Sequence, residues 1–223
     1  MDFSAKIAKQ YRQPTGGLGK LIARFICYKN KNVNEWVLDM LNLQREDNIL
    51  EIGFGMGLAI KAAAGIVTEG KVKGVDISPL MVNKAMKICK NEINKGRVEL
   101  NKGDVFQQNF SSDSFTKVYA INVIYFWDSI ERNLEEIYRI LKPGGTFVTY
   151  ITDKSDLEKL SFTQTGVFKL YSTDEIIKYL TEKKFEGISV KTKDVNRYEK
   201  GICIIANKKA NGGKMKCQKK LFL

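Results

Sequence analysis

Three glycines and a carboxylate form the pattern that says most about chemistry. Gly53, Gly55 and Gly57 follow the apolar segment 49–52 and precede a helix-like segment, which predicts a strand–turn–helix unit. Such turns let a ligand approach the backbone, and a G-x-G-x-x-G spacing usually binds a pyrophosphate. Here the spacing is G-x-G-x-G, and Glu51 lies two residues upstream. A carboxylate at this point would repel phosphate and favour a ligand with cationic groups.

The composition of the 223 residues excludes several kinds of site. The chain has no histidine, which rules out Ser-His-Asp chemistry and metals held by imidazole. Its four cysteines are scattered without C-x-x-C spacing, as is typical of reduced thiols in a cytoplasmic protein. No segment has the roughly 20 apolar residues that cross a bilayer, and the first residues lack the apolar core of a secretion signal. We expect a cytoplasmic protein without a membrane span.

The net charge of +12 is concentrated at the two ends of the chain. Residues 1–31 contain seven Lys and Arg against Asp2 alone, and residues 207–223 contain six lysines and no acid. Such ends could bind nucleic acid or attract an anionic substrate. Solvated surface and a flexible basic tail over 208–223 explain them without any partner, and we favour this interpretation.

Strand-like and helix-like segments alternate, which predicts a doubly wound α/β domain with its ligand at the carboxyl ends of the strands. The predicted strands lie at 48–52, 71–77, 98–100, 115–121, 146–151, 187–192 and 201–206. Ser78 before Pro79 predicts the start of a helix. We assign this domain to 33–207, with an N-terminal cap at 1–32 and an insert at 152–171, and we expect both to fold over the strand ends as lids.

Four ordered motifs resemble those of class I S-adenosylmethionine-dependent methyltransferases. They are Glu51-x-Gly53-x-Gly55-x-Gly57, Asp76 in GVDIS, Gly103-Asp104, and LKPGG at 141–145. The resemblance covers roughly residues 48–206. It implies a Rossmann-like, doubly wound α/β fold whose seven mostly parallel strands have the order 3-2-1-4-5-7-6, with the last strand antiparallel. It also implies S-adenosylmethionine as cofactor, a ligand that carries an ammonium and a sulfonium but no phosphate.

The resemblance assigns a role to each matched residue. Glu51 and the glycines would hold the methionine part, and Asp76 would accept both ribose hydroxyls, since a carboxylate offers two acceptor oxygens. Ile77 would pack on the adenine face, Asp104 would bind the adenine amino group, and Val105 would lie beside the ring. The implied cofactor-binding residues are Glu51, Gly53, Gly55, Gly57, Asp76, Ile77, Asp104, Val105 and Asn122.

The segment INVIYFWD, from Ile121 to Asp128, is where this family would bind the methyl acceptor. Members that methylate base amines or glutamine amides carry two prolines after the Asn or Asp, and here Val123 and Ile124 stand in their place. Aromatic residues suit a flat or apolar small molecule instead. We take Tyr125 as a candidate catalytic residue. A second is Tyr11, next to Arg12, because PTGG after it indicates a hinge for an N-terminal helix.

Three other functions remain compatible with the sequence. The basic ends could serve an RNA methyltransferase, although no RNA-binding module is recognisable. The chain could also bind the cofactor without catalysis, as a sensor or subunit. A nicotinamide oxidoreductase fits least, because of the glycine spacing and Glu51. We therefore expect an enzyme that methylates a small-molecule substrate; the sequence leaves the acceptor atom and the oligomeric state open.

Overall fold

The protein forms one seven-stranded sheet in a computed structural model that describes residues 2–197 and 199–211. The strands are β1 (Asn48–Ile52), β2 (Lys71–Asp76), β3 (Val98–Lys102), β4 (Phe115–Ile121), β5 (Leu141–Thr152), β6 (Phe185–Asn196) and β7 (Glu199–Lys208). Their order is β3-β2-β1-β4-β5-β7-β6. Strands β1 to β5 pair in parallel, and β7 lies antiparallel to β5 and β6. The predicted fold class and strand order are confirmed.

Helices cover both faces of this sheet. They are α1 (Phe3–Arg12), α2 (Gly16–Lys29), α3 (Lys31–Leu41), α4 (Leu58–Ile66), α5 (Pro79–Ile88), α6 (Lys90–Asn94), α7 (Ile130–Ile140), α8 (Lys154–Glu158) and α9 (Thr173–Glu182). Short 3-10 helices lie at Val105–Gln108, Ile124–Phe126 and Ser161–Gln164. Within the described residues, no helix combines the length and the apolar character needed to cross a membrane.

The sheet separates two hydrophobic cores, as the two-residue periodicity of its strands requires. Leu50 and Ile52 of β1 pack into one core, whereas Ile49 packs into the other. On β4, Val118 and Tyr119 likewise point to opposite cores. Because both faces are buried, packing on both sides sets the register of the central strands. Their carboxyl ends therefore lie along the same edge of the sheet.

The segment before α3 is attached to the carboxyl end of β2. The side chain of Gln13 donates a hydrogen bond to the Ile77 carbonyl at 3.1 Å. The Ser78 hydroxyl, which caps α5 by accepting from the Met81 amide, donates to the Pro14 carbonyl at 2.8 Å. One buried hydroxyl therefore joins the start of α5 to the link between α1 and α2.

Several boundaries differ from those predicted from sequence. Gly16 and Gly17 begin α2 and are not part of the α1–α2 link. The segment after Ser78, which the sequence predicts as one helix to about residue 94, is divided at Cys89 into α5 and α6. Strand β7 includes Lys208, whose ammonium bonds the Asp113 carboxylate and the Leu141 carbonyl, so the basic tail cannot begin at 208. The rest of that predicted tail, 212–223, lies outside the described residues.

The variant Ser78→Ala removes both the α5 cap and the bond to Pro14. We expect a loss of about 1–2 kcal/mol in the free energy of unfolding, measured in urea, and faster proteolysis between α1 and α2. Ser172→Ala is the matched control, because Ser172 caps α9 through a bond with Glu175 and does not contact this link. Equal cleavage in both variants would contradict the anchoring role.

Candidate functional site

A cavity of about 500 Å³ lies at the carboxyl ends of β1, β2 and β4. The glycine turn and the strand ends form its floor, and residues of α1, α2 and the segment 152–168 form its walls. Its described lining includes ten of the eleven residues that the sequence predicted: Tyr11, Glu51, Gly53, Gly55, Asp76, Ile77, Asp104, Val105, Asn122 and Tyr125. Gly57 is the exception.

Gly57 has a packing role. It precedes α4 with φ +81, and a Cβ added there would lie 2.7 Å from the Cβ of Ala85. A glycine at this position therefore lets α4 and α5 approach. Gly55 differs, because it has φ +53 and a Cβ there would meet nothing within 4 Å. Since Gly55 also lines the cavity, its missing side chain leaves the turn's backbone open to a ligand.

Glu51 is a buried carboxyl at the floor of this cavity, with 3% of its surface exposed. The Tyr119 hydroxyl, from the neighbouring strand β4, donates to its Oε2 at 2.9 Å. The pKa of Glu51 is raised to about 8, mainly by burial; the Tyr119 hydrogen bond opposes the shift and the nearby Asp76 carboxylate adds to it. Without a cation nearby, Glu51 therefore holds a proton at neutral pH.

Asp76 ends β2 with both carboxylate oxygens engaged. Its Oδ2 accepts from the Gly55 amide and its Oδ1 from the Ser78 amide, each at 2.8 Å. Burial raises the pKa of Asp76 to about 6, and these two amides hold it below the value that burial alone would give. The bond to Gly55 ties the glycine turn to β2. The contact predicted with ribose hydroxyls would use the remaining lone pairs of Asp76.

The residues predicted around the adenine lie together at the ends of β2 and β3. Asp104 begins the 3-10 helix Val105–Gln108 and accepts from the Phe106 amide at 3.4 Å. Val105 is fully buried and Ile77 is half-buried. An apolar pair beside one carboxylate is the arrangement expected for a flat heterocycle with an amino group. The individual roles remain predictions.

The Tyr125 hydroxyl forms hydrogen bonds with Thr152 and Asn122. It accepts from the Thr152 amide at 2.7 Å and lies 3.3 Å from Oδ1 of Asn122. Burial raises the pKa of Tyr125 well above its usual value. Asn122 has left-handed backbone, with φ +55, so this contact also orients an amide that sits in a conformation L-residues seldom adopt. The hydroxyl thus contacts Asn122 and keeps its proton, and a catalytic role for Tyr125 remains a prediction.

An aromatic cluster closes the side of the cavity opposite the adenine residues. Tyr11 stacks on Phe162 with ring centroids 4.7 Å apart. Phe168 lies against Phe126 at 4.6 Å, Phe162 at 5.7 Å and Tyr125 at 5.9 Å. The cluster thus joins α1, the end of β4 and the insert. Burial, with the Glu199 carboxylate, raises the pKa of Tyr11, so this hydroxyl also stays protonated.

Sequence reasoning missed Phe162, Phe168 and Glu199. Glu199 accepts from the Thr152 hydroxyl at 2.9 Å and pairs with Lys29 of α2 at 2.6 Å, beside Tyr11. Nothing in the sequence singles it out, because its position depends on the antiparallel return of β7. The aromatic residues of 152–171 gave a weak signal, since two phenylalanines in a polar insert require a partner to cover them.

The cavity fits a ligand that is cationic at one end and apolar at the other. Among its described lining residues the basic side chains are Arg12 and Lys29, and both pair with carboxylates other than Glu51 and Asp76. Two buried acids without a protein cation are suited to an ammonium and a sulfonium. Glu51, Gly53, Gly55 and Asp76 would hold S-adenosylmethionine, with Ile77, Asp104 and Val105 at its base.

Comparison with known proteins shows which family of proteins this chain is similar to. A family model described as "Methyltransferase domain" matches residues 50–149. The chain is 30% identical over 130 residues to the putative methyltransferase YrhH of Bacillus subtilis, and the match covers 58% of this chain and 71% of that protein. It is 26% identical over 195 residues to the uncharacterized methyltransferase YdaC of the same organism, covering 85% and 99%.

Longer relatives and solved structures share the same core. Sterol 24-C-methyltransferase ERG6 of Saccharomyces cerevisiae is 34% identical over 117 residues, which are 51% of this chain and only 30% of that protein. A putative methyltransferase of Haloferax volcanii, in complex with the Trm112 activator, superposes with TM-score 0.74 at 17% identity, covering 86% and 94%. Geranyl diphosphate methyltransferase superposes with TM-score 0.68 at 14% identity, covering 79% and 78%. These two structures establish the fold.

The buried Glu51 makes stability depend on pH. Its folded-state pKa of about 8 exceeds the ordinary value of 4.5, so the folded protein binds the proton more tightly and loses stability as pH rises between these values. We expect Glu51→Gln to remove a loss on the order of a few kcal/mol between pH 5 and 8, measured by urea unfolding without ligand.

The exposed Glu46→Gln is the control and should keep the pH dependence of the wild type. A wild-type stability that stays level or increases over this range would contradict a protonated Glu51.

Proposed function

Because this chain belongs to the class I S-adenosylmethionine-dependent methyltransferases, we propose that it methylates a small-molecule acceptor bound in the aromatic part of its cavity. One observation carries this proposal: the acidic glycine floor and the aromatic cluster line the same cavity. S-adenosylmethionine, when bound, supplies an electrophilic methyl group on a sulfonium. An acceptor against the aromatic cluster would then share the cavity with that methyl group.

The walls of the acceptor side favour a flat or apolar molecule. Phe126, Phe162 and Phe168 present ring surfaces there, together with the aliphatic Leu157 and Leu160. Ring faces bind apolar groups and cations, and neither requires polar partners from the wall. The named acceptors of similar proteins, a sterol and geranyl diphosphate, are also small molecules. This supports a small-molecule acceptor without selecting one.

Catalysis in this cavity would depend on alignment. The chain has no histidine, and the hydroxyls of Tyr11 and Tyr125 both keep their protons. Correct placement of two reactants can lower an activation barrier by about 7–11 kcal/mol. This suffices without a general base when the acceptor is already nucleophilic. Tyr125 would act by orienting Asn122, and Tyr11 by covering the acceptor with its ring.

The N-terminal cap and the insert would exclude water from this reaction. They meet through the Tyr11–Phe162 stack, and Arg12 forms an exposed ion pair with Asp128 at 3.0 Å. An exposed pair contributes little, about 0–1 kcal/mol, so the ring contact is the main closure and can open for substrate exchange.

The function is tested by incubating the protein with methyl-labelled S-adenosylmethionine and a cell extract, which is then divided into small-molecule, RNA and protein fractions. We expect label among the small molecules. Label in RNA alone would support an RNA methyltransferase, and cofactor binding without label in any fraction would support a non-catalytic protein. Either result would overturn the proposal.

Tyr125→Phe distinguishes orientation from proton transfer. With the labelled fraction as acceptor, we expect kcat to fall by less than about tenfold and its pH profile to keep its shape, whereas losing a general base typically costs 10²–10⁴-fold. Tyr138→Phe is the control, because its ring packs on Phe185, away from the cavity. A fall of a hundredfold with a changed pH profile would restore Tyr125 as a proton acceptor.

A further inference from the structure

Helix α2 exposes a row of large apolar side chains to solvent. Leu21, Phe25 and Tyr28 have 70%, 56% and 86% of their surface exposed. Their spacing of four and three residues places them on one side of the helix. Single exposed apolar residues are ordinary, but three in one row over roughly 10 Å are not. In the described part of the chain, the other large exposed apolar residues are Phe3, Ile66, Met86 and Leu160.

Two cations lie along one edge of this row. Lys20 and Arg24, one helical turn apart, are exposed on the same side of α2. Within the described residues neither forms an ion pair, whereas Lys29 at the end of the helix pairs with Glu199. We call these five residues, Leu21, Phe25, Tyr28, Lys20 and Arg24, the outer face of α2. It combines an apolar row with a cationic edge that no acid of the described fold neutralises.

We propose that the outer face of α2 docks on the surface of an anionic lipid bilayer. In that position the row of Leu21, Phe25 and Tyr28 would enter the boundary between headgroups and acyl chains, and the tyrosine hydroxyl would remain among the headgroups. Lys20 and Arg24 would lie at the level of the lipid phosphates, since long basic side chains extend their charge toward them. A surface helix of this kind does not need to span the bilayer.

The charge of the face argues against other occupants. A second copy docked symmetrically through the same face would bring Lys20 and Arg24 against their own counterparts, and the lysine-rich residues 208–223 would also bring positive charge. RNA would satisfy the cations but would leave the aliphatic Leu21, at one end of the row, without an apolar partner. An anionic bilayer supplies negative charge and an apolar layer within a few Å of each other.

The opposite side of α2 lines the cavity. Ala23, Ile26 and Cys27 contribute to its wall, so one helix separates the outer face from the acceptor site. A consequence that rests on the proposed function is that a docked protein would receive a lipid-soluble acceptor beside α2. Bilayer docking itself needs neither cofactor nor acceptor, and its test can therefore fail or succeed independently of methyl transfer.

The test is sedimentation of the full chain with vesicles, without cofactor. We compare vesicles of phosphatidylcholine with vesicles that contain about one-third phosphatidylglycerol. We expect binding to the anionic vesicles that weakens with salt, and a fall of about tenfold or more in the triple variant Leu21→Ser/Phe25→Ser/Tyr28→Ser. Lys20→Glu/Arg24→Glu should show a similar loss.

Two matched controls keep this test specific. Ile66→Ser/Met86→Ser removes exposed apolar side chains elsewhere, and Lys84→Glu/Lys87→Glu makes the same change of charge on α5. Both should bind anionic vesicles as the wild type does. Absence of wild-type binding, equal binding by the triple variant, or equal loss in the Lys84/Lys87 variant would overturn the proposal.

Other occupants have their own signatures. A dimer that is lost only in the triple variant would place a second copy on the face. A gel shift with RNA that depends on the row would place RNA there. A lower melting temperature of the triple variant without vesicles would place another part of this chain there. Each of these results would overturn bilayer docking.

Discussion

The site depends on two carboxyl groups that the fold buries at the ends of adjacent strands and that form no ion pair within the described residues. Burial raises the pKa of both Glu51 and Asp76, and each receives only partial compensation, from the Tyr119 hydroxyl and from backbone amides. Isolated buried charge is costly, so folded proteins keep such groups where a ligand completes them. A ligand with an ammonium and a sulfonium meets this requirement, and a pyrophosphate does not.

The same constraint explains how the glycine turn is built. Asp76 bonds the Gly55 amide and the Ser78 amide at once, so the carboxylate holds the turn of β1 and the start of α5 in one arrangement. Ser78 in turn holds the Pro14 carbonyl. A short chain of hydrogen bonds thus runs from the cofactor floor to the N-terminal cap.

Acceptor chemistry follows from what the walls lack as well as from what they contain. The chain contains no imidazole, and the two tyrosine hydroxyls near the acceptor side are held protonated by burial. What remains is shape: Phe168 packs on Phe126 and Phe162, and Tyr11 stacks on Phe162, so that α1, the end of β4 and the insert meet. In the proposed reaction such a wall would select a molecule by its surface and exclude water, and nucleophilicity would come from the acceptor.

Local patterns in the sequence were sufficient for the sheet and for the acidic glycine turn that lines the cavity. Alternating apolar residues, Ser78 before Pro79, and the spacing from Glu51 to Gly57 act over a few residues, so they specify strands, caps and turns wherever the chain goes next. The tertiary structure alone decided which distant side chains meet. Glu199 reaches Thr152 and Lys29 only through the antiparallel β7, Tyr11 meets Phe162 only because α1 packs on the insert, and Gly57 contacts Ala85 rather than the cavity. These contacts join residues far apart in sequence, and no local propensity encodes them.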